Sequence, residues 1–328
     1  MISLLDSLTS PLNHNQRGWP WNIEVNPDIY RSLSELPRIS IVTPSYNQGQ
    51  FIEETIRSIL LQNYPDLELI IIDGGSNDNT KEIIKKYEQW ITFWVSEKDK
   101  GQTDAINKGL NKCTGVLFNW INSDDVLREN TLYHVAKHYN DNKFNLLAGL
   151  VRDFRNNDEE SIRKNINLTP EKMILKTNDM YFHQPGVWYI TELVKKLGGL
   201  DIKYHYCFDW HLVIRYLIKN PRVTYTNEIL ANFRLHDSSK TVSVPLSFQE
   251  DNIAIAKELK ELDYFKSLKK ELDHYVIMKE WYVKLIRIEN SKDSKLNRIA
   301  KIMIDSFSDV KNRWSKYTLG TIRNILLS

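Results

Sequence analysis

Four clusters of polar residues stand directly after short apolar runs, and they carry the side chains best able to do chemistry: Thr43 to Asn47, Asp73 to Asp78, Ser96 to Gly101 and Asn122 to Asp125. Asp73 follows three isoleucines, so a rigid segment fixes its carboxylate in place. From there it can accept a hydrogen bond from the imide nitrogen of uracil or thymine, or from a ribose hydroxyl. Gly74 and Gly75 behind it let backbone approach a ligand closely. Asn122-Ser123-Asp124-Asp125 closes another apolar run. Adjacent acids are costly to place together without a cation, and oxygen ligands suit Mg2+ or Mn2+. A hard cation bridging a diphosphate would neutralise it as a leaving group. Turn residues follow any strand, so one loop carries little weight and the combination carries more.

The elements between these clusters are of the kind that brings them together. Ile39 to Thr43 is a β-branched run, and Phe51 to Gln62 places Ile52, Thr55, Ile56, Ile59 and Leu60 at helical spacing. Leu67 to Ile72 is almost wholly apolar, as a strand buried on both faces must be. Thr80 to Gln89 is expected as a helix, Ile91 to Val95 as a strand, Thr103 to Asn111 as a helix and Val116 to Ile121 as a strand. Strands alternating with helices imply right-handed crossovers and an α/β fold with a mainly parallel central sheet. In such sheets ligands bind beyond the carboxyl ends of the strands, where all four clusters fall. Further on, Thr131 to Tyr139 reads as a helix and Leu146 to Phe154 as a strand. Residues 155–182 read as a polar insertion with a short helix near Pro170 to Lys176, and Phe208 to Ile218 as a strong helix.

The 328 residues leave room for one large domain or two smaller ones, and 41% apolar with 26% charged residues is ordinary for a folded globular protein. Residues 1–36, with Trp19 and Trp21 around Pro20, read as an extended arm that packs its tryptophans on the domain. A catalytic domain is expected over 37–245, with a donor part over 37–127 and an acceptor part over 128–245. A helical region follows over 246–328, broken near Asn290 to Ser294 and near Ser306 to Ser308. The net charge is only +2, yet Lys266 to Ser328 holds 14 Lys or Arg against 7 Asp or Glu, a local +7. Cys113 and Cys207 have no disulfide or zinc spacing. No basic start precedes an apolar run, and no stretch approaches the ~18 apolar residues of a spanning helix. A soluble cytoplasmic protein is the expectation.

Val42-Thr43-Pro44-Ser45-Tyr46-Asn47, Ile72-Asp73-Gly74-Gly75-Ser76-Asn77-Asp78 and Asn122-Ser123-Asp124-Asp125 resemble, in order and spacing, the donor-site motifs of glycosyltransferase family 2. Lys100-Gly101-Gln102-Thr103-Asp104-Ala105-Ile106-Asn107-Lys108-Gly109 resembles a stretch that precedes the metal motif in bacterial members, and the likeness runs from about Pro37 to about Lys240. The resemblance implies the GT-A fold, an inverting sugar transfer from a nucleotide-diphosphate donor with UDP as default, and a setting in bacterial surface-glycan assembly. By it, Thr43, Pro44 and Tyr46 line the base pocket with Asn47 beside them, and Asp73 and Gly74 contact the nucleoside. Asp104 and Lys108 border the ribose and diphosphate, Asn122 and Ser123 belong to the donor loop, and Asp124 is the principal ligand of Mn2+ or Mg2+. Two positions depart from the pattern: Asn122 is neutral where the first acid of the metal motif stands, and Gly74 replaces the second acid of Asp-Asp-Gly-Ser.

An inverting transfer needs a base that deprotonates the acceptor hydroxyl as it attacks. The resemblance places that base at Asp209, after Gly198-Gly199-Leu200-Asp201, with Asp201 as competitor and helix capping as the plainer role for Asp209. It also places His236 near the diphosphate or metal, and Gln184 with His183 at the sugar pocket. Trp188 and Trp210 have rings able to stack on a sugar, although burial is the commoner fate of tryptophan.

Other readings meet obstacles. A nucleotidyltransferase needs a glycine-rich basic loop after the first strand, and a dinucleotide oxidoreductase needs G-x-G-x-x-G there; Pro44 to Gln50 is neither. A degenerate nucleotide-sugar-binding scaffold stays open as the non-enzymatic alternative. The expected partners are a nucleotide-sugar donor and a glycan or lipid-linked saccharide acceptor, with no nucleic acid. The basic tail, with Trp281, Trp314 and Tyr317, offers itself to an anionic membrane surface, to a second copy in a homo-oligomer, or simply to solvent.

Overall fold

A computed structural model describes residues 3–8, 16–155, 158–236, 245–308 and 313–327. Among the described residues nine strands form one sheet: β1 Ile39–Ser45, β2 Leu67–Asp73, β3 Phe93–Ser96, β4 Leu117–Trp120, β5 Val126–Leu127, β6 Leu146–Arg155, β7 Asp158–Arg163, β8 Val187–Ile190 and β9 Val223–Arg234. The order is β3-β2-β1-β4-β8-β6-β9-β5, with β7 paired to β6. The first four strands run parallel, so their carboxyl ends share one rim, and the register sets Ser45, Asp73 and Ser96 side by side on it. Beyond β4 the sheet is mixed: β8 is antiparallel to β4 and β6, while β9 is parallel to β6.

The helices that cross between the parallel strands follow the apolar periodicity. They are α2 Ile52–Leu60, α3 Thr80–Lys86 and α4 Gln102–Lys112, with α1 a single turn over Leu4–Ser7. Ile52, Ile56, Ile59, Ile83 and Ile84 of these helices meet Ile39, Ile41, Leu69 and Ile71 of the sheet in the main core. Helix α4 comes so close to β1 that a Cβ on Gly109 would stand 2.4 Å from Val42 Cγ1. Further along lie α5 Thr131–Asn142, α6 Pro170–Leu175, α7 Thr191–Lys196 and α8 Phe208–Lys219.

Residues 16–36 lie against the sheet domain and include a 3-10 helix over Pro27–Ser32. Trp19 Nε1 donates to the Leu127 carbonyl at 2.7 Å, and buried Arg57 donates to the carbonyls of Pro20 and Trp21 at 3.2 and 2.9 Å.

The polar stretch after Arg155, expected as an insertion, contains β7, which extends the sheet along β6. Its run of acidic residues hides an edge strand, where charge is what keeps the edge from pairing elsewhere. Strand β9 went unread because only its last third is buried, so no apolar run marks it.

The chain divides into two compact units, one over 1–173 with 177–237 and one over 174–176 with 238–328. The boundary expected near 245 adjoins residues 237–244, which lie outside the described residues. The second unit holds α9 Pro245–Leu259, α10 Lys269–Glu289, α11 Lys295–Phe307 and α12 Lys316–Leu327. Trp281, Leu285, Ile288, Ile302 and Ile325 form a core among its last three helices. Trp281, read from sequence as a docking residue, is thus 3% exposed, and its Nε1 donates to the Arg313 carbonyl and Thr318 Oγ1, both at 3.0 Å.

Gly109→Ala separates two opposing effects. In a free helix alanine would gain about 1 kcal/mol over glycine. Against the stiff Val42 the added methyl overpacks the α4–β1 contact, at a cost of about 1–3 kcal/mol. Urea denaturation is expected to show a net loss of stability; a gain would mean that α4 can retreat from β1 freely.

Candidate functional site

The rim of the parallel strands is built around Asp73. Its carboxyl group is fully buried, and its oxygens accept from the Gly75 and Ser76 amides at 3.2 and 2.9 Å, from Ser96 Oγ at 2.6 Å and from Ser76 Oγ. Oδ2 is thus engaged by the loop and by β3, while Oδ1 takes one bond, from Ser76. Asp73 shapes the Gly74–Ser76 turn, whose tightness needs Gly75 at φ +84. The loop after β1 is pinned to this turn: Gly74 N donates to the Ser45 carbonyl at 2.8 Å, Asn47 N to Ser76 Oγ at 2.7 Å and Gly49 N to Asp78 Oδ2 at 2.9 Å. Thr43 and Pro44 are buried in β1, whereas Tyr46 is 57% exposed at its end and Asn47 is exposed with φ 52. Three buried polar atoms here, Thr43 Oγ1, Ser45 Oγ and Gln48 Oε1, have no hydrogen-bond partner among the described residues. Such groups are uncommon in folded proteins, and each calls for an explanation such as a bound water, ion or ligand.

The space above Gly74 is taken by Asp99, a residue that sequence reading missed. Its Oδ2 lies 2.7 Å from where a Gly74 Cβ would stand, and its Oδ1 accepts from Gly101 N at 2.8 Å. A side chain at 74 would thus collide with the carboxylate that the loop after β3 places there. Behind Asp99, Asp104 in the first turn of α4 accepts from Lys100 N at 3.1 Å. Lys108 one turn on stands 2.7 Å from Glu97 and 3.6 Å from Asp104, and the Glu97 contact first of all holds its ammonium pKa up.

The loop after β4 explains its own neutral residue. Asp125 is fully buried; burial first, then the neighbouring Asp124, pushes its carboxyl well above the usual range. Asn122 Nδ2 donates to Asp125 Oδ2 at 3.0 Å, and the Arg234 amide donates to Asp125 Oδ1 at 3.2 Å. An aspartate at 122 would oppose one carboxyl with another and leave both short of donors. Asn122 Oδ1 in turn accepts from Gln102 Nε2 at 2.7 Å, which ties the loop to the start of α4. Ser123 is buried in the loop.

Asp124 points elsewhere. Its Oδ2 lies 3.0 Å from His236 Nε2, with side chains 23% and 16% exposed. Arg234 braces the pair: Nε donates to the Asp124 carbonyl at 2.9 Å, Nη2 meets Glu54 at 2.6 Å, and the guanidinium lies over Phe51 and Phe154 at 4.9 and 4.4 Å. A carboxylate oxygen and an imidazole nitrogen converging at a half-open position form a donor set that fits Mn2+ or Mg2+, with further oxygens to come from a ligand. Asp125, with both oxygens occupied, does not belong to that set.

Asp209 lies in the first turn of α8, where Cys207 holds the cap position, so Asp209 is not the cap. It accepts from the Trp210 amide at 2.7 Å, and its charge, after burial, raises the Tyr189 hydroxyl. Tyr189 stacks on Trp120 at 6.0 Å, and Phe208 approaches Trp120 at 6.3 Å. Through Trp120, which ends β4, the start of α8 borders the Asn122–Asp125 loop. Gln184 Nε2 donates to Asn119 Oδ1 and the Trp120 carbonyl at 2.9 and 3.0 Å on the same strand end. Asp201 accepts from the Lys203 amide in the loop before α8. Trp188 is fully buried and closed to any ligand, while half-buried Trp210 packs edge-on against Phe182 and donates to the Met173 carbonyl. His183 is held down to about 4, by burial first and by Arg163 second.

Residues 40–198 match the family model described as Glycosyl transferase family 2. An uncharacterized glycosyltransferase of Rickettsia typhi is 27% identical over 212 residues, 62% of this chain and 66% of that protein. The match spans just under two thirds of that relative and 42% and 41% of two further Rickettsia relatives. Among solved structures, S. aureus TarS 1–349 in complex with UDP has a TM-score of 0.59 at 16% identity, covering 88% of this chain and 90% of that one. The mannosyltransferase PcManGT from Pyrobaculum calidifontis, in complex with GDP-Man and Mn2+, has a TM-score of 0.57 at 16% identity, covering 94% and 88%. At these identities the structural likeness carries the fold, a GT-A-like α/β domain.

The depressed His183 value has a sign that can be tested. The unfolded chain protonates this histidine near its ordinary 6.5, the folded chain only near 4. Folding is therefore favoured fully above 6.5, and that contribution is lost as the pH falls from 6.5 toward 4. Chemical denaturation across this window is expected to show a steeper acid limb for wild type than for His183→Gln; superimposable limbs would mean that the imidazole is not held neutral by the fold.

Proposed function

We propose that this chain, whose residues 40–198 match the model of glycosyltransferase family 2, transfers a sugar from a nucleoside-diphosphate donor, a UDP-sugar by preference, to a hydroxyl of a glycan or lipid-linked saccharide with inversion at the anomeric carbon. The observation that carries the reading is the convergence of Asp124 Oδ2 and His236 Nε2 at 3.0 Å. The catalytic domain is read as 37–245, followed by the helical region 246–328.

In this reading the nucleoside lies on the rim of β1 and β2. Tyr46 offers an exposed ring to the base, and the Thr43 and Ser45 hydroxyls supply donors and acceptors from the strand. Asp73 acts at one remove, by fixing the turn that faces the nucleoside, and Asp99 presents the carboxylate for a ribose hydroxyl. Asp104 and Lys108 border the diphosphate. Asp124 and His236 would hold a divalent cation, which when bound supplies positive charge against the departing diphosphate. Gln184 sets the sugar-facing end of β4 through its two bonds to Asn119 and Trp120, with His183 beside it. Asp209 takes the proton of the attacking hydroxyl, the negative end of an otherwise apolar wall of Phe208, Trp120 and Tyr189. Its place at the start of α8, beside Phe208 and the Trp120–Tyr189 stack, favours it over Asp201 as the base.

The test is release of nucleoside diphosphate from a panel of UDP-, dTDP- and GDP-sugars by the purified chain. One nucleotide class is expected to turn over, and Asp209→Asn is expected to lower kcat by about 10²–10⁴ while leaving diphosphate affinity within a factor of two or so. Turnover unchanged in Asp209→Asn but lost in Asp201→Asn would move the base to Asp201. No turnover of any donor, with diphosphate still bound, would favour a nucleotide-sugar-binding scaffold.

A further inference from the structure

The two last helices carry more apolar surface than their own core uses. In α11, Ile302 is buried against Trp281, Leu285, Ile288 and Ile325, with Ile299 packed beside it. About a quarter-turn or more away, Leu296, Ile304 and Phe307 are 80%, 71% and 64% exposed. With Ala300 and Met303 they fall at i, i+4, i+7, i+8 and i+11, a single stripe along the helix. Helix α12 repeats the arrangement: Ile325 is buried, while Leu319, Leu326 and Leu327 are 58%, 60% and 75% exposed. Each helix therefore has one apolar face turned inward and a second turned outward. An outward stripe of this size is uncommon on a protein surface without a purpose.

The surrounding charge says what fits it. Ser291 to Ser328 contains eight Lys or Arg against three Asp or Glu. Exposed Lys295 and Arg323 lie on the two helices, and Lys301, paired with Asp293 at 2.6 Å, flanks the α11 stripe on its other side. A second copy of the chain would bring the same positive charge against this one. A nucleic acid would satisfy the charge and leave the aliphatic stripe unused. A bilayer with anionic headgroups satisfies both, since long basic side chains reach the headgroups while the apolar stripe enters the acyl boundary.

We propose that α11 and α12 form a docking face for an anionic phospholipid surface, entered by Leu296, Ile304, Phe307, Leu319 and Leu326 and held there by the basic residues around them. The contact is interfacial, in keeping with the finding that no helix among the described residues is long and apolar enough to cross a membrane. The anchors are aliphatic residues and one phenylalanine, not Trp281, which the core retains.

Co-sedimentation of the full chain with vesicles tests this. Phosphatidylcholine vesicles containing phosphatidylglycerol are expected to carry the protein down, pure phosphatidylcholine vesicles at least roughly tenfold less, and added salt to release it. The triple variant Leu296→Ser, Ile304→Ser, Phe307→Ser changes only exposed positions, so its circular dichroism and nucleoside-diphosphate binding should match wild type while its vesicle affinity falls roughly tenfold or more. Equal sedimentation of wild type and variant, or no preference for the anionic vesicles, overturns the proposal. So does a dimer in analytical ultracentrifugation that the triple variant abolishes, which would give the face to a second copy. Failure of nucleotide binding in wild type would instead bear on the donor site and leave this result readable.

Discussion

A carboxyl group buried at the end of a strand must find its hydrogen bonds within the protein, and at Asp73 that requirement organises the rim of the sheet. The amides of Gly75 and Ser76 and the hydroxyls of Ser76 and Ser96 converge on it, so β3 and the following turn are held to β2 by one side chain. The turn then holds the β1 loop through Ser45, Asn47 and Gly49. Around this knot lie the exposed ring of Tyr46, the buried hydroxyls of Thr43 and Ser45, and Asp99 over Gly74.

The same rule operates one loop further on. Asp125 is buried beside Asp124, and its cost is met by Asn122 and the Arg234 amide. Arg234 also grips the Asp124 carbonyl and Glu54, so the position of Asp124 is set from β9, more than a hundred residues away in the chain. This division of labour leaves Asp124 and His236 as the pair facing outward. The neutral Asn122, which looked like a weakness in the acidic motif, is the partner that lets Asp125 be buried at all.

The parallel half of the fold was legible because Ile39–Ser45, Leu67–Asp73 and Leu117–Trp120 are buried almost throughout and are mostly apolar, with runs such as Ile41-Val42 and Leu69 to Ile72. Their ends, and therefore three of the four clusters, could be located by reading alone. Strands β7 and β9 escaped because an edge strand and a half-exposed strand show no such run. Asp99 escaped for a different reason: its place over Gly74 arises from the pairing of β2 with β3, which no local pattern encodes. Trp281 shows the limit of composition. A tryptophan in a basic helix suggests a surface anchor, yet three helices close around it, and the exposed anchors are the plainer Leu296, Ile304 and Phe307.

The central claim is that Asp124 and His236 hold a cation against a nucleoside diphosphate. Calorimetric titration of UDP, dTDP and GDP into the folded protein, with and without Mn2+, tests it most directly. The account predicts tight binding of one diphosphate only when Mn2+ is present, weakened at least roughly tenfold by Asp124→Ala, in line with the loss of a charged metal ligand. Binding that is indifferent both to Mn2+ and to the substitution would contradict it.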